Sequence, residues 1–259
     1  MIIQNEKELI TYRAAAKLSV ALLKKITQAV KPGVYPITVD NLAKKLCREN
    51  HVRPAFQGVA NGRSVFDYAT CICVNDAAVH AVPSTTIPFQ TGDIVKLDFG
   101  LIYRGFYTDL CVTVAVGKFL NSVAEKLVKT AKEVSRSSIA LAIPANTTGD
   151  IGQNMHAIAR KNGFDVLKKY TGHGIGRTLH DQPVIPAHGQ PKQGQLLKPN
   201  MVVCLEAQIV EKGDEVKVDN DGWTVRTVDA GLVGMFEYMV IVKDKPEVLT
   251  DTFDFPLVV

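Results

Sequence analysis

The sequence predicts an α+β protein that forms one domain, residues 1–259, from two similar halves, about 1–118 and 119–259. In each half a long amphipathic helix is followed by a proline-containing loop, a shorter helix and apolar strand-like runs that carry acidic residues. Corresponding residues keep similar offsets, since Pro144 follows Pro32 by 112 positions and Glu206 follows Asp98 by 108. We therefore expect a site at the junction of the two halves.

The first half begins with a helix over residues 6–30, in which apolar side chains recur every three or four positions. The segment Lys31-Pro32-Gly33 ends this helix, because the residue before a proline is disfavoured in a helix. A second helix extends to about residue 49, with Thr38 as its N-cap. Three strand-like runs follow, at residues 69–74, 94–99 and 107–116.

The second half repeats this order. Ser122 and Glu125 have the spacing of a capping box, which predicts a helix that continues to about residue 141. Thr148 can cap a shorter helix, and Gly163 can end it. Strand-like runs return at residues 201–205 and 236–242.

Four acidic residues lie in or beside these apolar runs, where a carboxylate is unfavourable. Asp98 and Asp109 flank a turn at residues 103–105, and we expect them to lie opposite each other across an antiparallel pair. Glu206 follows one later run directly, and Glu237 stands between two aromatic residues of another. Because a carboxylate taken out of water needs a cation or a hydrogen-bond donor, the set predicts a metal site.

His173 adds one nitrogen ligand to the four carboxylates. It stands in the segment Gly172-His173-Gly174-Ile175-Gly176-Arg177, whose glycines let the backbone approach closely. An oxygen-rich set with one imidazole suits two divalent ions (Co, Mn, Fe or Zn) better than a structural zinc ion. Such a pair of ions activates water. The segment is not a nucleotide loop, because Arg177 takes the place of the third glycine in GxGxxG.

The remaining composition excludes several classes of protein. A hydrophobic content of 46% and a charged content of 22% are typical of globular proteins, and the net charge of +4 comes from scattered lysines rather than a nucleic-acid patch. No apolar run reaches ~18 residues, so we expect no membrane span, and the first residues lack a signal-peptide pattern. Five cysteines without framework spacing predict reduced thiols in a cytoplasmic protein.

Two further histidines are not among the predicted metal ligands. His80 and His180 are 100 positions apart, and a proline follows each of them by three residues. Since they occupy matching places of the repeat, we expect them to donate hydrogen bonds to a substrate near the metal site.

Together these residues resemble the type I methionine aminopeptidases along essentially the whole chain. The matching segments are residues 74–80, 92–98, 108–109 and, most diagnostic, 172–180 followed by Pro183, with Glu206 and Glu237 completing the ligand set. The resemblance implies the pita-bread fold, in which two pseudo-symmetric halves form a central antiparallel sheet covered by helices. It also implies a metalloaminopeptidase that removes the N-terminal methionine from nascent proteins.

Ligand roles follow from the same resemblance. Asp98 and Asp109 are expected to hold one metal ion, and His173 and Glu206 the other, with Asp109 and Glu237 bridging the two. A bridging water or hydroxide is expected to attack the first peptide bond of the substrate.

Catalytic and substrate-binding roles are implied as well. Glu206 is the expected proton shuttle, His180 the donor to the scissile carbonyl oxygen, and His80 a substrate contact near the first peptide bond. The expected methionine pocket is lined by Phe56, Cys71, Leu179 and Trp223, although from residue type alone each is equally consistent with a core position.

Some positions depart from the family pattern. Cys204, Ala207, Met235 and Tyr238 stand where threonine, proline, glutamine and histidine are usual, and the loop at residues 56–70 lacks the usual tyrosines. Changes around metal ligands typically alter affinity or activity ~10–100-fold, so they affect the expected substrate preference and turnover rather than the reaction class.

Two alternatives to this function stay open. An X-Pro dipeptidase or aminopeptidase of the same fold shares the ligand set, but normally carries a further N-terminal domain. A non-catalytic pita-bread protein that binds peptides is the other alternative, although such relatives usually lose ligands. For the favoured reading we expect a cytoplasmic monomer that acts on nascent polypeptide N-termini, with lysines compatible with contact to the ribosome.

Overall fold

The computed structural model describes all 259 residues, which form four α-helices and fifteen strands. The helices are α1 (Glu6–Gln28), α2 (Pro36–Glu49), α3 (Ser122–Ser138) and α4 (Thr148–Lys161), and a short 3₁₀ turn (Ile139–Leu141) follows α3. The strands are β1 (Arg53–Pro54), β2 (Thr70–Val74), β3 (Ala77–Val79), β4 (Ile94–Phe99), β5 (Leu101–Tyr103), β6 (Phe106–Tyr107), β7 (Leu110–Ala115), β8 (Asp165–Val166), β9 (Thr171–Gly174), β10 (Asp181–Pro186), β11 (Val202–Val210), β12 (Val216–Val218), β13 (Val225–Thr227), β14 (Val233–Ile241) and β15 (Glu247–Val248). None of the helices combines the length and the apolar character that a membrane span requires.

A nine-stranded antiparallel sheet forms the centre of the molecule. Its main order is β10-β9-β11-β14-β7-β4-β2, and β8 and β15 pair with β11 and β14. Strands β2, β4 and β7 come from the first half of the chain and the others from the second, so the halves meet where Cys111 of β7 pairs with Glu237 of β14. The predicted α+β class with a central antiparallel sheet is confirmed.

The two faces of this sheet pack in two separate hydrophobic cores. On one face, side chains such as Leu97, Val112, Leu205 and Phe236 join the helices in a core of 44 buried residues. On the other face, a smaller core of 19 residues includes Cys71, Cys204 and Met239. Since side chains alternate along a strand, Asp98 of β4 points away from the face that carries Leu97.

Helix positions agree with the sequence prediction better than helix caps do. Helix α1 begins at residue 6 as predicted, and Gly163 follows the end of α4 with a left-handed φ of 82°, as predicted. The cap at Thr38 is wrong, because α2 already begins at Pro36, whose fixed φ suits the first turn of a helix.

The other two predicted caps are also wrong. The side chain of Asn121, rather than a Ser122–Glu125 box, accepts a hydrogen bond from Ala124 N at the start of α3. Helix α4 does carry a capping box, but it joins Thr147 and Asp150, one residue before the predicted Thr148. In each case a second suitable polar residue stands next to the predicted one, so spacing alone did not separate them.

The turn between the two aspartates differs from the prediction in a way that matters for the site. Arg104 and Gly105 both have positive φ, as a tight two-residue hairpin turn requires, so Tyr103 pairs with Phe106. The same register holds for the neighbouring pair of strands, β4 and β7, where it pairs Asp98 with Cys111. The expected direct opposition of Asp98 and Asp109 is therefore wrong, since Asp109 lies two residues before the partner of Asp98.

Candidate metal centre

Three of the five predicted ligands lie in one row across the sheet. Asp98 pairs with Cys111, Cys111 with Glu237, and Glu237 with Glu206, so these side chains lie on strands β4, β7, β14 and β11. Directly paired residues of antiparallel strands point to the same face. The structure therefore brings three carboxylates to one face, away from the 44-residue core.

The remaining two ligands lie in the adjacent row on the same face. His173 of β9 pairs with Cys204, and Cys204 pairs with Met239. At the far end of this row, the backbone N–H of Asp109 donates to Met239 Sδ at 3.2 Å. All five predicted ligands thus converge from both halves of the chain.

The imidazole of His173 is oriented for ligation. Its Nδ1 lies 3.0 Å from the backbone oxygen of Gly174, and since a carbonyl only accepts, Nδ1 carries the proton. The lone pair on Nε2 is then directed at three carboxylates, with Asp109 Oδ2 at 3.7 Å, Glu206 Oε1 at 3.8 Å and Glu237 Oε1 at 3.9 Å. These separations are too long for hydrogen bonds and leave room for an ion between the ligands.

The charges of the site lack internal compensation. Burial raises the pKa of Asp98 to about 7 and that of Glu206 to about 8, and it raises the pKa values of Asp109 and Glu237 well above their usual range. Burial lowers the pKa of His173 to about 4, so its imidazole is neutral at physiological pH. A neutral imidazole cannot compensate four carboxylates.

Several carboxylate oxygens have no hydrogen-bond donor. Asp98 Oδ1, Asp109 Oδ1 and Glu237 Oε1 are buried and unpartnered. One oxygen from each of these three residues lies within 4.8 Å of the others. Hard oxygen donors grouped in this way, with one neutral imidazole, fit divalent ions, which would satisfy the unpartnered oxygens.

Two glycines make the approach of the strands around His173 possible. A Cβ at Gly174 would lie 2.0 Å from the backbone oxygen of Gln182, and one at Gly172 would lie 2.4 Å from the backbone oxygen of Cys204. Both distances are far below van der Waals contact, so only glycine fits. The predicted close approach at these glycines is confirmed.

Both additional histidines lie at the same cavity. The ring of His180 packs edge to face on His173 with centroids 4.5 Å apart, and the ring of His80 lies 5.6 Å from that of Tyr170. His80 adopts a left-handed φ of 57°, which is uncommon outside glycine. Burial lowers the pKa of His80 to about 4 and also lowers that of His180.

The five ligands, His80 and His180 line one cavity of about 230 Å³ together with apolar side chains. The apolar part of this cavity, called the apolar pocket below, includes the four predicted residues Phe56, Cys71, Leu179 and Trp223. Phe66 packs edge to face on Trp223 at 5.2 Å and also lines the pocket, as do Val59 and Val79, three residues that the sequence prediction did not include. The apolar side chains in the loop at residues 56–70 were the available signal for two of them.

Sequence reasoning also missed a third row, next to the carboxylates on the same face. It consists of Cys73, Lys96, Thr113, Met235 and Gln208, all buried. Lys96 Nζ donates to the backbone oxygens of Asn75 and Val233, both at 2.8 Å, and burial lowers its pKa to about 8. Polar residues at two-residue spacing from Asp98 and Glu206 were the signal for Lys96 and Gln208.

The four departures from the resembled pattern fall on both faces of the sheet. Cys204 and Met235 are two residues away from Glu206 and Glu237, and so lie on the site's face. Ala207 and Tyr238 belong to the 44-residue core on the opposite face. Only the first two can contact groups at the site directly.

Comparison with known proteins gives a consistent result. The family model described as metallopeptidase family M24 matches residues 11–244. A methionine aminopeptidase of Aquifex aeolicus is 34% identical over 252 residues, which cover 95% of this chain and 97% of the relative. One of Clostridium perfringens is 33% identical, with 96% and 98% covered.

Solved structures agree with the sequence matches. The methionine aminopeptidase of Thermotoga maritima superposes with a TM-score of 0.91 at 33% identity, covering 97% of this chain and 100% of that one. The prolidase of Pyrococcus furiosus has a TM-score of 0.77 at 20% identity and is covered over 66% of its length, so it bears on the fold alone. The predicted pita-bread fold is confirmed by these matches.

Proposed function

Since the chain belongs to metallopeptidase family M24, we propose that it is a methionine aminopeptidase that removes the N-terminal methionine from nascent polypeptides. The observation that carries the proposal is the convergence of Asp98, Asp109, His173, Glu206 and Glu237 beside an apolar pocket. The apolar part of the cavity, lined by aromatic and aliphatic side chains next to these ligands, suits an apolar side chain of a substrate. The X-Pro alternative is less supported, because the prolidase likeness bears on the fold alone.

We propose that this site binds two divalent ions: Asp98 and Asp109 would hold one, His173 and Glu206 would hold the other, and Asp109 and Glu237 would contribute to both. The unpartnered oxygens of Asp98, Asp109 and Glu237 support this assignment. The physiological metal is proposed only as a class, Co, Mn, Fe or Zn, because oxygen ligands with one imidazole suit all four. When bound, the ions supply the activation of a water molecule.

The protein's own groups handle the substrate and the proton. Glu206, whose pKa is raised by burial, would accept a proton at its carboxylate and pass it to the leaving amine. His180 would donate to the oxygen of the scissile carbonyl as negative charge develops there. His80 would contact the substrate near the first peptide bond, and the apolar pocket would hold the methionine side chain.

The proposal extends to the cellular setting. Both halves of one chain contribute candidate ligands, which supports a single catalytic unit over residues 1–259 that acts as a monomer. All five cysteines are unpaired, which supports a reducing, cytoplasmic compartment. Contact with the ribosome stays a prediction, compatible with the net charge of +4.

A peptide assay tests the function. The full chain, loaded with Mn²⁺ or Co²⁺, is incubated with Met-Ala-Ser and with an Ala-Pro peptide, and the released amino acids are quantified. We expect release of methionine, abolished in Asp109→Asn. Cleavage of the Ala-Pro peptide alone would refute the proposed specificity. A folded protein that is inactive with every metal would support the non-catalytic alternative.

A further inference from the structure

Gln208 is a fully buried amide next to the candidate metal centre. It lies on β11 two residues after Glu206, so both side chains point to the same face of the sheet. Its Nε2 lies 2.5 Å from Glu206 Oε2 and 3.0 Å from Met235 Sδ. Since a carboxylate oxygen and a thioether sulfur both accept, the NH₂ group is the end of the amide that faces them.

The hydrogen bond from Gln208 gives the two carboxylate oxygens of Glu206 different environments. Oε2 is engaged by the amide, whereas Oε1 lies 3.8 Å from His173 Nε2, in the direction of the other ligands. A carboxylate held at one oxygen cannot rotate freely about its terminal bond. The amide therefore presents one defined oxygen of Glu206 to the centre of the site.

Stability alone does not account for an amide at this position. Gln208 Oε1 is buried and has no hydrogen-bond partner, and an unsatisfied buried oxygen lowers the stability of the folded state. The residue directly paired with Gln208 is Met235, which is buried without such a defect. An apolar side chain of this length at position 208 would avoid the penalty, but it would lose the contact with Glu206.

We propose that Gln208 is a positioning residue, which holds the carboxylate of Glu206 in the orientation that binds a divalent ion and serves the reaction. For turnover, this inference rests on the proposed function. For the affinity of the site for a divalent ion, it does not depend on the substrate. The two effects are therefore measured separately.

The test compares the same substitution at a buried and at an exposed glutamine. Gln208→Met removes the amide next to Glu206 with little change in size, and Gln28→Met makes the same change at an exposed position at the end of α1. The Kd of the metal-stripped full chain for Mn²⁺ is measured by titration calorimetry, and kcat and KM are measured with Met-Ala-Ser. We expect Gln208→Met to weaken Mn²⁺ binding ~10–100-fold and to lower kcat more than it changes KM.

The control variant and the stripped protein complete the test. Gln28→Met should keep Kd and kcat close to the wild type, and the stripped Gln208→Met variant should be no less thermally stable than the stripped wild type. If Gln208→Met does not fold, Gln208→Glu, which replaces the donor by an acceptor, should show the same weakening. Wild-type Mn²⁺ affinity in the folded Gln208 variant would overturn the inference. A wild type that binds Mn²⁺ but releases no methionine would refute the proposed function only.

Discussion

Removal of the divalent ions should destabilise the protein strongly at pH 8 and little at pH 5. Burial raises the pKa of Asp98 to about 7 and that of Glu206 to about 8, so the ion-free site keeps its protons at pH 5. In the unfolded chain the same groups ionise near pH 4. Between pH 4 and 8 these carboxyls therefore bind more protons in the folded, ion-free protein than in the unfolded chain, and their contribution to stability falls as the pH rises.

The size of this loss in stability follows from the size of the pKa shifts. One unit of pKa corresponds to ~1.4 kcal/mol, so either carboxyl contributes a loss on the order of 4 kcal/mol across this range. Bound ions take the place of the protons and offset part of this loss. At ~100 times Kd, binding stabilises the folded state by about 3 kcal/mol. For a chain of this length we expect a gap in Tm of roughly 10 °C at pH 8.

Calorimetric scans with excess Mn²⁺ or with EDTA, taken at intervals from pH 5 to pH 8, measure this gap in Tm between the ion-bound and the ion-free protein. His173 does not obscure the difference, because its lowered pKa of about 4 leaves the folded ring neutral with and without ions. Its protonation in the unfolded chain is the same in both scans and cancels. Asp109→Asn should narrow the gap at pH 8, whereas Asp244→Asn, an exposed position, should not change it. A gap that is constant from pH 5 to pH 8 would refute the assignment of the buried carboxyls as ligands.

Three further variants test the surroundings of the site. Asp40→Ala removes the acceptor of the backbone N–H groups of Ala69 and Thr70, both within 2.9 Å, and should cost roughly 3–5 kcal/mol in urea unfolding; a loss under about 1 kcal/mol would contradict the reasoning. Gly174→Ala would place a Cβ 2.0 Å from a backbone oxygen of β10, and should therefore lower both Tm and the affinity for Mn²⁺. Wild-type values of both quantities would contradict the close approach of the strands at this glycine. Trp223→Ala should raise KM for Met-Ala-Ser ~10-fold or more with a smaller effect on kcat, and an unchanged KM would exclude Trp223 from the pocket.

The identity of the candidate ligands could be predicted because the signal is local. A glutamate or aspartate within an apolar strand is unfavourable wherever the strand lies, so Asp98, Glu206 and Glu237 stand out without any knowledge of pairing. The pocket residues carried no such signal. Phe66 and Val79 have the composition of any core position, and only their place around the cavity distinguishes them.

Register was the part that the sequence predicted incorrectly around the site. A change of one position in the turn, to Arg104 and Gly105, moved the partner of Asp98 from Asp109 to Cys111. The consequence is small for the set of ligands, because Asp109 stays on the same face in the next row. It is large for the geometry, because the ligands lie in two rows rather than in one opposed pair.

The α+β class, the repeated order of elements and the five acidic or imidazole side chains could be predicted from the sequence, since each depends on periodicity or on a residue that is unusual in its own segment. Which neighbours those side chains have depends on the pairing of strands that are distant in the chain. Gln208 and Lys96 are polar residues in strands, and such residues face solvent unless a second layer covers them. Their burial, and the contact of Gln208 with Glu206, arise only when β4, β7, β14 and β11 pair across the two halves.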